Sequence, residues 1–175
     1  LTIMPTPPAP VGFNNIACET GPFPILKALG TNLTWYSDSL LTNQVGTGGY
    51  FDPGQTAAGV YPYYVTDSLP GCMGPYTVVT MTIYAVPTAP TGVDVTICAG
   101  DSVPTLTAGG TGITWYSDPT LIVAIGVGNT FNPKGVNTAG TYNYYVTQSN
   151  PGCGEGPADT VTLTVNPVPF VTLNT

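Results

Sequence analysis

The sequence contains no histidine and very little positive charge. Its 175 residues include two basic and nine acidic side chains, which give a net charge of −7 at pH 7. Because phosphate binding needs lysine and arginine, this balance argues against nucleic acid as a partner and against an anionic membrane surface. Histidine is the commonest general base and metal ligand, so its absence removes the usual basis of catalysis. We therefore expect a protein that is not an enzyme and that uses no cofactor or metal ion.

Long apolar runs are also missing, and there is little room for long helices. No stretch of 18 apolar residues occurs, so we expect no membrane insertion. The chain has 22 glycines and 19 prolines, both of which are poorly tolerated inside helices. Hydrophobic residues nevertheless make up 42% of the sequence, whereas disordered chains combine low hydrophobicity with high net charge. The composition indicates a folded protein without long helices.

What the sequence does contain is an internal repeat of about 80 residues. Matching segments lie first 80, then 81 and then 82 residues apart, as single-residue loop insertions would cause. The matches are Cys18 with Cys98, residues 34–38 with 114–118 (both TWYSD), 63–66 with 144–147 (both YYVT), 70–72 with 151–153 (both PGC), and 79–83 with 161–165. The repeat predicts two homologous domains.

Proline-rich segments border these domains. The predicted layout is a last-strand-like segment with prolines at residues 1–10, domain 1 at 11–86, a proline linker at 87–90, domain 2 at 91–166, and the start of a further unit or an inter-subunit segment at 167–175. Because such segments favour extended, semi-rigid conformations, we expect a linear, rod-like arrangement of the two domains.

Each repeat has the pattern of an all-β domain. β-branched and aromatic residues dominate residues 113–116, 142–147 and 160–165, and turns rich in glycine and asparagine separate these segments. Each repeat has one tryptophan, early in its third predicted strand, and residues 140–144 (GTYNY) resemble a tyrosine corner. These features predict an all-β fold with two tandem immunoglobulin-like β-sandwich domains.

The two ends of the chain have similar sequences. Residues 1–7 align with residues 163–169 at an offset of 162, so the chain opens with a spare last strand. Either the sequence is a window from a longer array, or Leu1, Thr2 and Ile3 complete a sheet in a neighbouring subunit by strand addition. In both cases the expected partners are adjacent immunoglobulin-like repeats or copies of the chain itself, joined end to end.

The four cysteines favour disulfides over a metal site. They include no C-x-x-C pair, and an even number in such a chain indicates an oxidising, extracellular setting. Of the three pairings, we favour Cys18–Cys72 and Cys98–Cys153, because each repeat carries its own two cysteines. One difficulty stays open: in an immunoglobulin topology the end of the first strand and the last hairpin lie at opposite poles, whereas a disulfide needs Cα atoms within about 7 Å.

Five segments carry the most distinctive part of the pattern. In the second repeat they are residues 97–100 (ICAG), 114–118 (TWYSD), 144–147 (YYVT), 152–153 (GC) and 161–167 (VTLTVNP). This pattern resembles the tandem Ig-like repeats of very large secreted proteins of Bacteroidota, which often carry sorting domains for export to the cell surface and are associated with adhesion and gliding. The first repeat departs from it at residues 16–19 (IACE). The resemblance implies a structural role at the cell surface or outside the cell, and it implies no ligand.

Covalent glycans are the expected modification. Asn32 begins a sequon, N-L-T, in the loop before the tryptophan strand. The resemblance implies O-glycosylation at Asp followed by Ser or Thr and then by an apolar residue or Thr. Four positions fit this second motif, namely Ser39, Ser68, Ser102 and Thr160. The alternative explanation is that these Asp-Ser and Asp-Thr pairs start turns and strands through side-chain to backbone hydrogen bonds.

Acidic and aromatic residues offer weaker candidates. Asp38 and Asp118 hold equivalent places after the tryptophan strands, but no D-x-D-x-D-G run is present, and turn formation accounts for them. Most tyrosines fall within strand patterns and are expected to pack in the core. Because side chains alternate along a strand, either Tyr63 or Tyr64 must face outward. That outward ring is the one candidate for carbohydrate binding.

Together these observations predict a non-catalytic structural subunit or repeat segment of an extracellular bacterial surface fibre or adhesin stalk. It is expected to be glycosylated and to assemble head to tail, with β-strand addition as one route. The alternative is a carbohydrate-binding or spacer module of a secreted polysaccharide-degrading enzyme. An exposed flat cluster of two or three aromatic rings favours this alternative, whereas end-to-end strand pairing between chains favours the fibre.

Overall fold

The computed structural model describes residues 5–169, and every regular element in this range is a β-strand. Accordingly, the described part of the chain has no helix long and apolar enough to cross a membrane. The chain divides into two compact units. The first comprises the chain up to Val86 together with Pro151–Cys153, and the second comprises Pro87–Asn150 and the chain from Gly154 onward. Three residues of the second sequence repeat therefore belong to the first unit.

The strands are numbered in chain order. Those of the first unit are β1 (Val11–Phe13), β2 (Asn15–Cys18), β3 (Leu26–Leu29), β4 (Leu33–Tyr36), β5 (Gln44–Thr47), β6 (Tyr50–Phe51), β7 (Gly59–Leu69) and β8 (Cys72–Tyr84). Those of the second unit are β9 (Thr91–Gly92), β10 (Val95–Cys98), β11 (Leu106–Gly109), β12 (Thr114–Tyr116), β13 (Ala124–Val127), β14 (Thr130–Phe131), β15 (Gly140–Thr147), β16 (Ser149–Asn150), β17 (Gly154–Glu155) and β18 (Asp159–Asn166).

In the first unit these strands form two sheets. One has five strands in the order β2-β8-β7-β4-β5, and the other has three in the order β1-β3-β6. Strand β1 pairs antiparallel with β3, whereas β2 pairs parallel with the last strand, β8. The chain changes sheet at Asn14, whose side-chain oxygen accepts a hydrogen bond from the backbone N–H of Thr80 at 2.9 Å. The unit is an immunoglobulin-like β-sandwich, as the sequence predicts.

The second unit repeats this topology. Its five-stranded sheet has the order β10-β18-β15-β12-β13, its three-stranded sheet has the order β14-β11-β9, and β10 again pairs parallel with the last strand, β18. The units differ in the hairpin before that last strand. In the first unit β7 runs into β8 through a two-residue turn, with Leu69 opposite Cys72. In the second unit the short strands β16 and β17 form a separate hairpin around Pro151–Cys153.

A fully buried tryptophan lies in each core. Trp35 and Trp115 have no exposed surface, and their indole N–H groups donate to the carbonyl oxygens of Gly48 and Gly128 at 2.8 and 2.9 Å. Removing such a side chain from water contributes about 5 kcal/mol before the cost of ordering it. The hydrogen bond satisfies the only polar side-chain atom of each ring, so each tryptophan can be buried completely.

An aromatic stack takes the place of the disulfide that crosses the core of an antibody domain. The ring of Phe51 stacks on Trp35 with 5.4 Å between centroids, and Tyr63 meets Phe51 edge-on at 5.0 Å. In the second unit Phe131 stacks on Trp115 at 5.5 Å and lies 5.2 Å from Tyr144. Each unit therefore ties its two sheets together by ring packing, and the core needs no cysteine.

The predicted tyrosine corner is present in both units. The hydroxyl of Tyr142 donates a hydrogen bond to the backbone oxygen of Thr138 at 3.0 Å, and Tyr61 donates equivalently to Ala57 at 2.9 Å. A hydrogen bond back to a residue a few positions upstream defines this feature in immunoglobulin-like domains. It fixes the loop that enters β7 and β15, the strands that pair with the tryptophan strands.

The segment predicted to add to a neighbouring sheet falls outside the described residues. It consists of Leu1, Thr2 and Ile3, whereas the description begins at residue 5. Strand addition therefore stays a prediction.

Candidate functional site

Cys18 lies beside the end of the last strand of the first unit. The parallel register of β2 and β8 places it opposite Tyr84, the final residue of β8. Backbone hydrogen bonds hold it there, since the N–H of Glu19 donates to the oxygen of Tyr84 and the N–H of Gly21 to that of Cys18, both at 2.9 Å. Cys18 is buried. Its sulfur thus has a fixed position at one end of the sheet.

A disulfide joins Cys18 to Cys153, with 4.7 Å between the Cα atoms. Cys153 belongs to Pro151–Cys153, the turn of the second repeat that is part of the first unit. Its sulfur lies 3.4 Å from the backbone oxygen of Tyr84, so the turn rests on the end of β8 as well as on Cys18. The bond links residues that are 135 positions apart in the sequence.

Gly152 allows this turn to approach so closely. A Cβ atom at this position would lie 2.5 Å from a ring carbon of Tyr84 and 2.6 Å from the backbone oxygen of Ala17. The ring could move, but the backbone oxygen belongs to strand β2 and is held in the sheet. The glycine in the repeated Pro-Gly-Cys segment is therefore required by packing at the disulfide.

The pairing predicted from the sequence, Cys18–Cys72 and Cys98–Cys153, is wrong. Cys72 begins β8, whereas Cys18 lies opposite Tyr84 at its other end, about 40 Å away along the strand. Likewise Cys98 lies opposite Asn166, the end of β18, while Cys153 precedes the start of that strand. A disulfide needs Cα atoms within about 7 Å, so the opposite-pole difficulty excludes both pairs.

Cys72 and Cys98 are free thiols in the structure. Cys98 ends strand β10 and is exposed, and Cys72 follows the two-residue turn of the β7–β8 hairpin and is half-buried. Each is the repeat equivalent of a cysteine in the disulfide, because Cys98 corresponds to Cys18 and Cys72 to Cys153. The disulfide thus joins one cysteine at a strand end to one cysteine of a hairpin, and one cysteine of each kind has a free thiol.

The candidate glycosylation sites differ in exposure, and two of them, Asn32 and Ser68, are joined by hydrogen bonds. The side chain of Asn32, which is exposed, donates a hydrogen bond to the backbone oxygen of Ser68 at 2.9 Å. Ser68 is half-buried, and its hydroxyl lies 3.4 Å from the backbone oxygen of Asn32. The other three hydroxyls, on Ser39, Ser102 and Thr160, are on exposed residues. These three and Asn32 are the exposed acceptors for a glycan.

The aspartates of these motifs have structural partners. Asp67 is buried and accepts hydrogen bonds from the N–H groups of Thr31 and Asn32 at 2.8 and 2.7 Å, which lower the pKa of its carboxyl group. Asp38 accepts from the N–H of Asn43 at 2.7 Å, which lowers its pKa in the same way. The other two aspartates of these motifs also accept backbone hydrogen bonds. Asp101 accepts from the N–H of Cys98 at 3.0 Å, and Asp159 accepts from the N–H of Gly92 at 2.8 Å. Turn and strand formation therefore accounts for the acids, including Asp38.

The acidic side chains of the described residues form no metal site. Between residues 5 and 169, no group of three or more cysteine, aspartate, glutamate or histidine side chains is placed so that it could hold one. Asp118, the equivalent of Asp38, instead accepts a hydrogen bond from the N–H of Thr120 at 2.9 Å.

Tyr64 is the outward member of the tyrosine pair. Tyr63 is buried against Phe51, whereas Tyr64 is half-buried and meets Tyr76 edge-on, with an angle of 87° between the rings. A sugar stacks on the flat face of an aromatic ring, and two rings at right angles do not form a common face. The pair therefore lacks the flat cluster that the carbohydrate-binding alternative calls for.

The second unit also has a surface cavity of about 490 Å³. Its lining combines apolar and polar side chains, those of Ile125, Phe131, Asn132, Lys134 and Tyr144. Burial raises the pKa of the Tyr144 hydroxyl, so this group stays protonated at neutral pH and can donate a hydrogen bond. The cavity is large enough for a small polar ligand.

Comparison with known families supports the immunoglobulin-like assignment of the second repeat. Residues 87–167 match the family model described as "Ig-like domain CHU_C associated", a Bacteroidota-associated Ig-like family. No curated protein matches the chain. An Ig-like module of this kind suits a structural or spacer role.

Several solved structures are similar over most of the chain. The fibronectin(III)-like modules of Clostridium thermocellum CbhA match at 15% identity, covering 94% of this chain and 96% of that one, with a TM-score of 0.46. Murine CEACAM1b matches at 13% identity, covering 91% and 100%, with a TM-score of 0.41. The FN1-FN3 domains of chicken CNTN1 match at 13% identity, covering 92% and 66%, with a TM-score of 0.40.

Proposed function

We propose that the chain is a non-catalytic structural module of an extracellular bacterial surface fibre or adhesin stalk. In this role its task is to join similar modules end to end and to keep their order under load. Of the five candidate sites, the four exposed ones, Asn32, Ser39, Ser102 and Thr160, carry glycans that compensate for the scarcity of surface charge.

The observation that carries this proposal is the disulfide between Cys18 and Cys153. It bonds the strand end of the first repeat to the hairpin turn of the second, so successive repeats are connected by a covalent bond in addition to the backbone. A bond of this kind suits a chain that must resist extension. It also requires an oxidising compartment, which supports a position outside the cytoplasm.

The absence of histidine supports the non-catalytic part of the proposal. The polar groups described above make hydrogen bonds that hold turns, the tyrosine corners and the buried tryptophans in place. Aspartates of both units accept hydrogen bonds from backbone N–H groups and so serve the fold, whereas glycoside hydrolysis uses a pair of carboxyl groups that flank the bond to be cleaved.

Electron microscopy of the native surface material tests the proposal. Negative-stain images, with an antibody against this chain as the label, are expected to show linear strings of beads carrying the label at regular intervals. Isolated beads, or label on particles that hydrolyse polysaccharide, contradict the fibre and favour the enzyme-appended module.

The cavity in the second unit is the observation that favours this second candidate, a carbohydrate-binding or spacer module. In that case Asn132 and Lys134 offer hydrogen bonds at its rim. Affinity electrophoresis in gels that contain soluble polysaccharides checks it. Retardation that is lost in the Asn132→Ala and Lys134→Ala variants supports this candidate, and equal mobility with and without polysaccharide removes it.

A further inference from the structure

The disulfide in the structure joins a strand-end cysteine of one repeat to a hairpin cysteine of the next. Cys153 lies 81 residues after Cys72 and has the same place in the Pro-Gly-Cys segment, and Cys98 lies 80 residues after Cys18. Cys18 therefore bonds to the hairpin cysteine of the repeat that follows it. Under the same rule Cys98 requires a hairpin cysteine from a further repeat, and Cys72 requires a strand-end cysteine from a preceding one.

Cys98 is held in the same local frame as Cys18. It lies opposite Asn166 at the end of β18, as Cys18 lies opposite Tyr84 at the end of β8. The N–H of Ala99 donates to the oxygen of Asn166 at 2.8 Å, matching the bond that follows Cys18. The N–H of Asp101 donates to the oxygen of Cys98 at 3.1 Å, matching the turn after Cys18. The exposed thiol of Cys98 is thus positioned as Cys18 is.

The hairpin that carries Cys72 differs from that of Cys153 in its packing among the described residues. Gly71 is the repeat equivalent of Gly152, yet a Cβ atom at Gly71 would meet no described atom within 4 Å, whereas at Gly152 it would collide with Tyr84. Within residues 5–169 the two turns thus have the same sequence, but only that of the second repeat is packed against the end of a sheet. The half-buried thiol of Cys72 directly follows the turn at Gly71.

We propose that Cys98 of one chain forms a disulfide with Cys72 of a second copy of this chain, which extends the covalent connection from repeat to repeat across the junction between copies. The proposal deepens the proposed function and rests on its end-to-end assembly. It specifies the partner as a hairpin with the sequence Pro-Gly-Cys and the bond as a sulfur–sulfur bond.

The bond forms by thiol–disulfide exchange with a small disulfide oxidant such as oxidised glutathione. The deprotonated sulfur of Cys98 attacks the oxidant, forms a mixed disulfide and expels one glutathione thiolate. The deprotonated sulfur of Cys72 from the second copy then attacks the Cys98 sulfur of that mixed disulfide and expels the second glutathione thiolate. The two protein thiols are oxidised, the oxidant is reduced to two glutathione molecules, and these take up the two protons.

Two single substitutions test the pairing directly. Cys72→Ser leaves only the Cys98 thiol and Cys98→Ser leaves only the Cys72 thiol, while both keep the Cys18–Cys153 disulfide, which mass spectrometry verifies beforehand. Each variant and an equal mixture are incubated at high protein concentration with oxidised and reduced glutathione. Products are separated on a denaturing gel without reductant, where a dimer has twice the 18.0 kDa of the chain.

We expect about tenfold more dimer in the mixture than in either variant alone, because only the mixture offers a strand-end thiol to a hairpin thiol. Equal dimer yields in all three samples mean unselective oxidation and overturn the proposal. The absence of dimer in the mixture overturns it as well.

A second measurement uses the unmodified chain and covers the case in which a serine variant does not fold. Protein grown in ¹⁴N and in ¹⁵N is mixed, oxidised and digested, and the peptides that link Cys72 to Cys98 are weighed. Linked peptides with one light and one heavy half support the bond between copies, and linked peptides without such hybrids contradict it. If electron microscopy shows linear strings of beads but the linked Cys72–Cys98 peptide is missing, the disulfide between copies is wrong and the fibre proposal is still supported.

Discussion

At the scale of single residues, polar atoms are placed to serve the fold. Each tryptophan N–H, each corner tyrosine and the buried Asp67 has a backbone partner at normal hydrogen-bond distance. The buried exception within the described range is the hydroxyl of Thr66, which makes no hydrogen bond; Thr147 is buried at the equivalent position of the second repeat. A chain with so little charge thus gains its specificity from hydrogen bonds to the backbone and from ring packing.

Replacing Trp115 by phenylalanine tests the core hydrogen bond. The Trp115→Phe variant keeps an aromatic ring but leaves the backbone oxygen of Gly128 without its donor. We expect the free energy of unfolding to fall by about 2 kcal/mol, measured by urea denaturation. The exposed Val127→Ala is the matched control and should change stability by less than about 0.5 kcal/mol. Equal effects of both substitutions would contradict the account of the core.

Asp67 makes the stability of the first unit depend on pH. Its pKa is lowered in the folded state by the N–H groups of Thr31 and Asn32, so folding is favoured by the ionised form. This contribution is present above the pKa of the unfolded chain, at about 4, and is lost as the pH falls through the lower folded-state pKa.

The Asp67→Asn variant is therefore expected to be less stable than the unmodified chain by about 2 kcal/mol at pH 7, with the difference shrinking in acid. Urea denaturation at a series of pH values measures this difference. Asp52→Asn is the control, because Asp52 is exposed and holds only the N–H of Gly54. A difference that stays constant down to low pH would show that Asp67 does not act through its charge.

Glycans are tested by the intact mass of the native protein. When the 175-residue chain is expressed in its native cells, we expect a mass above the 18.0 kDa of its polypeptide, and a Ser102→Ala variant made in the same cells should lose the mass of one glycan. Ser37→Ala is the matched control, since Ser37 is exposed but follows a tyrosine and not an aspartate. A native mass equal to that of the bare chain rejects modification at all five sites.

At the scale of elements, the parallel pairing of the second strand of each unit with its last strand decides where the cysteines lie. It brings β2 to the end of β8, and it brings β10 to the end of β18. The hairpin cysteine of the same repeat is then a full strand length away, so a strand-end cysteine can bond only to a hairpin that comes from elsewhere. The Pro-Gly-Cys turn supplies that hairpin because its glycine fits against Tyr84 and Ala17.

Gly152→Ala tests this close contact. The added methyl group would press against the backbone oxygen of Ala17, so we expect a loss of about 1–3 kcal/mol and slower formation of the Cys18–Cys153 disulfide in a glutathione buffer. Thermal unfolding and a time course of free thiols measure the two effects. In the control Gly140→Ala, the methyl group lies 3.8 Å from its nearest neighbour and should leave disulfide formation unchanged. Unchanged rates in both variants would mean that the turn does not need its glycine.

At the scale of the whole molecule, one covalent bond spans most of the chain. The Cys18–Cys153 disulfide closes a loop of 135 residues, for which the chain-entropy model gives a stabilisation of about 5 kcal/mol. That is comparable to the total stability of a small domain. The bond also belongs entirely to the first compact unit, which includes three residues of the second repeat.

The sequence predicts much of this fold, and the reasons are local. Strand periodicity, the single tryptophan of each repeat and the tyrosine corner are short-range features, and all are confirmed. The cysteine pairing was predicted wrongly because it depends on which ends of which strands are neighbours. The alternation of residues within a strand does not predict that β2 pairs parallel with β8. The one available sign was the conflict between the favoured pairs and the opposite poles of an immunoglobulin domain.

The most direct test of the central claim is a disulfide map of the native protein without reduction. Chymotrypsin suits it, because cleavage after aromatic residues places the four cysteines in four separate peptides, whereas trypsin has only Lys27 and Lys134 to cut. We predict a linked pair that joins the peptide of Cys18 to that of Cys153 and disappears on reduction. A linked pair of Cys18 with Cys72, or of Cys98 with Cys153, would contradict the account.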